Sequence, residues 1–409
     1  MLPSSIPTCS TPPATRASKT SRWIIRYILP AGWLALLTGL FWVGDRSLYH
    51  KLYYGLLAVP ALAALVCQPK QLMQFVRHPL VISYIFFAGY VCLSVFWSTS
   101  EAQPQSLIKR PAYVLVLMLS AALLASERPN LLPQVFRIAG VIAVISAALS
   151  YGFFLYAGHG SLGQRFTGYG ALYNPLLSAH VFGFFATFWL SLWFIAPQPW
   201  APAPLLCLAI LSVVILSTGS RTPLLALSAT AMWLCIASAR RRGWLAILIG
   251  AMILAALLYI YPTAIMSRGL SYRPDIWVEA WRTANEQLLF GHGYDHQLIL
   301  DIRDTGLTFN DPHNIELAVL LAGGLVGLAL WITLYAIAIT YSWRNRGNPS
   351  VLIASALLVF GLAAGLTEGR DFLSRPKEHW FLIWIPFSLL LYVWIQSSSK
   401  PLTVNKPAD

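Results

Sequence analysis

Three cations stand where the sequence expects helices to begin. Ser220-Arg221-Thr222-Pro223 opens an apolar run, Tyr272-Arg273-Pro274 opens an amphipathic stretch, and Asp311-Pro312-His313 leads into another apolar run. Proline suits the first helical position because its missing N–H is not needed there. The pattern therefore predicts Arg221, Arg273 and His313 in or beside first turns. A cation there meets the positive end of the helix dipole, at a cost of roughly 0.3–1 kcal/mol. That cost makes sense if an anion sits among them, since free N–H groups, helix ends and arginine forks together form a phosphate site. The plainer alternatives are an Arg221 that snorkels to lipid headgroups and an Arg273 paired with a nearby acid.

His313 has a distinct chemistry at such a position. A helix N-terminus disfavours imidazolium, and two nearby arginines act in the same direction. The expectation is a neutral ring with a pKa at or below the ordinary imidazole value, suited to a general base. The alternative is a histidine that only bonds a headgroup or carbonyl. Asp311 reads as a helix cap. Glu316 lies three residues beyond His313 and shares its expected helix face. It either orients the imidazole or bonds a neighbouring helix.

The elements that must position these residues follow from composition. The chain has 409 residues, 57% hydrophobic and 11% charged. Soluble domains carry about 25% charged residues, so this is an all-α polytopic membrane protein. Apolar runs fall near 25–44, 52–67, 80–97, 110–125, 135–157, 171–196, 202–217, 223–239, 244–261, 314–341, 350–366 and 379–396, about twelve spans in all. A span needs roughly 17–25 residues. The reading is a tail at 1–24, nine spans over 25–261, a large polar loop at 262–313, three spans over 314–396 and a tail at 397–409. Arg240-Arg241-Arg242 in a very short connection marks the side of the termini as cytoplasmic. The large loop then lies outside. The net charge of +13 fits topology and contact with anionic membrane lipids, and does not imply nucleic acid. The five cysteines show no CxxC spacing, so neither a disulfide framework nor a zinc site is indicated.

The large loop is polar but aromatic, with Tyr272, Trp277, Trp281, Phe290, Tyr294 and Phe309. It reads as a folded lid that carries the chemistry. Within it, 274–289 predicts a short helix with Ile276, Trp277, Ala280, Trp281, Ala284 and Leu288 on one face, ended by Gly291-His292-Gly293. Gly323 and Gly327 beyond it have the small-xxx-small spacing of close helix packing.

These segments resemble the O-antigen ligase family and its relatives, the O-antigen polymerases and bacterial oligosaccharide-to-protein transferases. The matching pieces are Ser217-Thr218-Gly219-Ser220-Arg221, then Arg273-x-x-x-Trp277 with Gly291-x-Gly293, then His313-Asn314-x-x-Leu317 with Gly323-Gly324-x-x-Gly327. Arg165-Phe166-Thr167-Gly168 before Asn174-Pro175 looks like a further family segment, although the family order there is more often Pro-Asn. The resemblance covers about residues 160–345. It implies a GT-C-like membrane glycosyltransferase of the bacterial inner membrane with a periplasmic active site. Its donor would be a glycan on undecaprenyl diphosphate, and its acceptor a sugar hydroxyl of lipid A–core. Arg221, Arg273 and Arg165 would hold the diphosphate and His313 would activate the acceptor, with Tyr272, Asn314 and Glu316 in support.

The residues agree with that chemistry on their own terms. Arginines can neutralise a diphosphate leaving group in place of a metal, and no DxD pair occurs, so neither metal nor cofactor is expected. One base and one leaving group give a single displacement, which inverts the anomeric carbon. Three rivals remain at this stage. A transporter would place polar residues near the bilayer midplane, where His180 is the main candidate, and a buried histidine there is more often satisfied by its surroundings. A polymerase would use the same donor, with a second lipid-linked glycan as acceptor. A non-catalytic assembly scaffold would not need the arginines and the histidine.

Overall fold

The computed structural model describes residues 16–158, 164–198, 201–238, 272–302 and 306–399, with single positions at 244, 248 and 252. Among the described residues, eight helices are long and apolar enough to cross a membrane: Lys19–Trp42, Arg46–Val66, Pro79–Trp97, Pro104–Glu127, Leu131–Tyr156, Pro175–Ile195, Ile315–Arg344 and His379–Ser398. Pro202–Ser217, Thr222–Ser238 and Pro349–Gly365 are shorter apolar helices. These correspond in order to eleven of the expected spans, and the architecture is that of a multi-pass membrane protein. The expected span at 244–261, the triplet Arg240–Arg242 and the first ten residues of the large loop lie outside the described residues, apart from the three single positions.

Four helices begin four or more residues before their apolar runs, at Lys19, Arg46, Pro104 and Leu131, and two of these starts have a clear local cause. The Asp45 carboxylate accepts from the N–H groups of Ser47 and Leu48, at 3.0 and 3.3 Å. That cap starts a helix at Arg46 although the next residues are polar. Pro104 opens another helix six residues ahead of the expected run and carries Arg110 to the site of an ion pair with Asp295, at 2.9 Å.

The large loop folds as expected in its helix and differs elsewhere. The helix spans Arg273–Glu286. Its buried face is Ile276, Ala280 and Ala284, packed against Leu298, Leu300, Ile302, Leu320 and Leu321. Trp281, expected on that face, is half exposed. A two-stranded antiparallel hairpin follows, Leu300–Ile302 (β1) against Leu307–Phe309 (β2), with Leu300 opposite Phe309. Three-residue strands are too short for period-2 alternation to show in sequence.

The glycine run in the Ile315–Arg344 helix does more than allow close packing. Gly323 and Gly327 do face the Tyr90 ring of the Pro79–Ser94 helix. Gly324, however, has φ 60° and breaks the helix. Buried backbone groups freed by the break must find partners inside the protein, and the large loop supplies them. Leu325 N–H donates to Leu288 O at 2.8 Å and Val326 N–H to Leu289 O at 3.2 Å. In return His292 N–H donates to Leu321 O and Gly293 N–H to Ala322 O, at 2.8 and 2.9 Å. Tyr90 OH closes the joint by donating to Gly323 O at 2.8 Å. The loop is thereby bonded into the break in the helix.

A Cβ at Gly324 would meet Leu289 backbone at 2.4 Å, in addition to the strain of its φ. Gly324→Ala is expected to cost on the order of 2–3 kcal/mol, read as a lower melting temperature in detergent. Gly89→Ala, which meets nothing within 4 Å, should leave melting unchanged. Equal melting of the two variants would contradict the role given to this joint.

Candidate active site

The turn at Ser217-Thr218-Gly219-Ser220-Arg221 joins the Pro202–Ser217 and Thr222–Ser238 helices. Gly219 takes φ 63°, which lets the chain reverse. Ser220 N–H donates to Thr218 Oγ1 at 3.2 Å. The segment at 165–168 lies beside this turn: Phe166 N–H donates to Ser217 O at 3.0 Å, and Arg165 Nε to Thr218 O at 2.7 Å. Phe166 is fully buried, and Asn174 caps the Pro175–Ile195 helix that follows. Arg165 and Arg221 are thus brought together from segments some fifty residues apart.

Both arginines line a cavity of about 540 Å³ with Arg273, Tyr272, Trp277, Phe309 and His313. No carboxylate is among the described residues lining it. Tyr272 and Phe309 form an aromatic wall, their rings 6.1 Å apart. Leu176, Leu225 and Ile276 supply apolar surface, and Leu225 is half exposed.

The structure places His313 differently from the expectation. The helix begins at Ile315, capped by Asn314, whose Oδ1 accepts from Leu317 N–H at 2.9 Å. Pro312 therefore does not occupy the first helical position. His313 precedes the cap in a left-handed conformation, φ 48°. That conformation costs a non-glycine residue about 1–3 kcal/mol and is held only where the surroundings impose it. Here Asp311 Oδ1 accepts from His313 N–H at 2.8 Å, so Asp311 caps this turn and not the helix. Trp277 Nε1 donates to Pro312 O at 3.0 Å, and Asn314 Nδ2 donates to Leu366 O at 2.9 Å.

The group that faces the imidazole is Glu368, which sequence reasoning missed. His313 Nδ1 lies 3.0 Å from Glu368 Oε1, and Arg273 Nη2 donates to Glu368 Oε2 at 2.7 Å. One buried carboxylate thus holds both cations. Glu316, a candidate for orienting the ring, instead turns into the bundle towards Trp331 and Tyr335. Its Oε2 is buried without a partner among the described residues. His180 is buried too, and its Nε2 is unpartnered among them, contrary to a satisfied core histidine. The available signal for Glu368 was the run Glu368-Gly369-Arg370-Asp371, dense in charge for a connection between two apolar runs. Arg370 of that run donates to Asn310 O and His296 O, which ties the connection to the large loop.

This pairing reverses the expected titration of His313. The hydrogen bond to Glu368 raises its pKa above the ordinary imidazole value, against the lowering effects of burial and Arg273. Burial alone would raise Glu368, but the hydrogen bond from His313 and the charges of His313 and Arg273 outweigh it and hold the carboxylate low. Burial raises Asp311. With an ionised acceptor on Nδ1, that nitrogen carries the proton, and Nε2 is the basic atom of the neutral ring.

The fold and site define a multi-pass membrane protein with an arginine-lined cavity and a carboxylate-held imidazole at its edge. Residues 206–332 match the family model described as O-antigen ligase. An O-antigen ligase of Pseudomonas aeruginosa is 50% identical over 388 residues, which cover 94% of this chain and 96% of that protein. The chain belongs to the O-antigen ligase family.

The titration is directly measurable. Diethyl pyrocarbonate attacks neutral imidazole only, so its rate at His313, followed by mass spectrometry, reports the fraction deprotonated. The midpoint should lie above about 6.5 and should fall in Glu368→Gln. A midpoint at or below that value in the unmodified protein would remove the ion pair.

Proposed function

We propose that this chain is an O-antigen ligase, a membrane glycosyltransferase that acts in lipopolysaccharide assembly. The donor is a glycan on undecaprenyl diphosphate and the acceptor a sugar hydroxyl of lipid A–core. The observation that carries this reading is the carboxylate bridge of Arg273–Glu368–His313 at the edge of a cavity that also holds Arg165 and Arg221. The relative at 50% identity favours a ligase over a polymerase. The termini are cytoplasmic and the cavity faces the periplasm of the inner membrane.

In this mechanism Arg165, Arg221 and Arg273 bind the diphosphate and offset the charge that grows on it as the glycosidic bond breaks. The apolar surface of Leu176 and Leu225 accepts the start of the lipid tail. His313 Nε2 takes the proton of the acceptor hydroxyl as its oxygen attacks the anomeric carbon, with inversion. Glu368 keeps the proton on Nδ1 and stabilises the imidazolium that forms. Asn314 and Asp311 hold the turn and Tyr272 walls the cavity, while Glu316 turns away from it into the bundle. The arginines supply the positive charge, so no metal is required.

Purified protein with both substrates tests the assignment. General-base catalysis is worth about 10²–10⁴ in rate, so His313→Ala should lose at least about 100-fold turnover while retaining donor binding. Arg221→Ala should lose donor binding. Arg273 has two tasks, so Arg273→Ala should both weaken donor binding and displace the pH profile. The acid limb of wild-type turnover should have a midpoint above that of free imidazole, because the base must first lose the proton that Glu368 stabilises. Near-normal turnover in His313→Asn would remove the base assignment.

Activity should persist in excess EDTA. Loss restored by Mg²⁺ or Mn²⁺ would show that the arginines are not sufficient.

A further inference from the structure

A second concavity lies on the other side of the turn that carries His313. It has a volume of about 620 Å³, within the range of roughly 300–1,000 Å³ usual for small-ligand sites. Along 309–313 the chain alternates between the two spaces. Phe309 and His313 line the arginine cavity, while Asn310 and Asp311 line this groove. The remaining polar wall comes from Glu101, Asp295, His296, Gln297, Arg370 and Asp371.

The charge of the groove is opposite to that of the cavity. Among the described residues that line it are four carboxylates, from Glu101, Asp295, Asp311 and Asp371, against one cation, Arg370. Arg370 gives both terminal nitrogens to backbone carbonyls, of Asn310 and His296. Asp295 is braced from behind by Arg110 and by Ser100 Oγ at 2.8 Å, and Asp371 by Lys377. Fixed carboxylates and an amide oxygen accept hydrogen bonds from hydroxyl groups, and the carboxylates disfavour phosphate.

One buried group points to a ligand or to water. His296 is 94% buried by its 6% exposure, and its Nε2 has no partner among the described residues. Burial pushes its pKa down to about 4, with His292 and Arg370 acting in the same direction, so the ring is neutral. Beneath the groove, and lined by the same His296, Asp295, Arg370 and Asp371, is a small cavity of about 20 Å³, enough for one water.

We propose that this acidic groove is the acceptor subsite, binding uncharged sugars next to the one whose hydroxyl is delivered to His313. The inference rests on the ligase reading above. The accepting sugar crosses the turn at 310–313, its hydroxyl reaches Nε2, and its neighbours hydrogen-bond the carboxylates, Gln297 and Asn310. Donor and acceptor are then kept apart by sign of charge. The diphosphate is drawn to the arginines and refused by the carboxylates.

The test compares two acceptors with the same donor: lipid A bearing the complete core, and a lipid glycoside bearing only the accepting sugar. Wild-type protein should show a KM at least about tenfold lower for the complete core, which corresponds to about 1.4 kcal/mol. Gln297→Trp, which fills the groove, and Glu101→Ala should bring the two KM values together, with donor KM following neither. A discrimination equally large in both variants, or absent from the wild type, overturns the subsite. No transfer to either acceptor by the wild type instead overturns the ligase reading. Should Gln297→Trp fail to fold, saturation-transfer NMR decides the matter on wild-type protein with free core oligosaccharide. Contacts to uncharged sugars that Glu101→Gln weakens support the groove, and no saturation of any sugar overturns it.

Discussion

Everything at this site depends on one carboxylate. Glu368 is buried, and two cations from separate elements converge on its two oxygens. An ionised carboxylate in such a place persists only if it is paired and hydrogen-bonded. That requirement fixes Arg273 at the start of its helix and His313 in a backbone conformation that histidine otherwise avoids. The conformation is in turn enforced from three sides, by Asp311 on the N–H of His313, Trp277 on Pro312 and Asn314 on Leu366. The imidazole is oriented by groups 55 residues apart in sequence.

The puzzle of a cation at a helix start receives a partly internal answer. The sequence invited an external anion as the reason for Arg273. The structure supplies an anion from within, since Glu368 bonds that guanidinium. The same carboxylate explains why the expectation for His313 has the wrong sign. A helix terminus would have lowered its pKa, but the ring is outside the helix and faces an acid. Helix-end electrostatics falls off within a turn, whereas a hydrogen-bonded carboxylate at 3.0 Å dominates its partner.

Much of the frame was legible because membrane helices are written in length and composition. Among the described residues, eleven apolar helices, eight of them of spanning length, stand where apolar runs placed them. The starts of two helices were missed because a side-chain cap and a proline extended helix into polar sequence. Proline at a helix start proved common here, at Pro69, Pro79, Pro104, Pro175, Pro202, Pro274 and Pro349, so it marks helix entry and not chemistry. That Arg221, Arg273 and His313 come together at one cavity was legible from residue type and order, and that Arg165 joins them from the family resemblance. Glu368 was not, because its partners are distant in sequence and no local periodicity connects them. Gly324 was visible as a small residue, yet its broken helix was not, since the groups that satisfy the break come from 288–293.

The break in the Ile315–Arg344 helix and the position of His313 are tied through the large loop. His313 lies just ahead of that helix, and the loop that bears Arg273 is bonded into the break three turns later. Moving the loop would leave buried backbone groups unpaired, each costing about 1–3 kcal/mol. The loop is therefore held at one depth, and with it Arg273 at the level of Glu368. Short hydrogen bonds at the site are in this sense set by backbone satisfaction at the break. The cost of an open backbone, and not the strength of any one ion pair, keeps a long polar loop registered on the helix whose end carries His313.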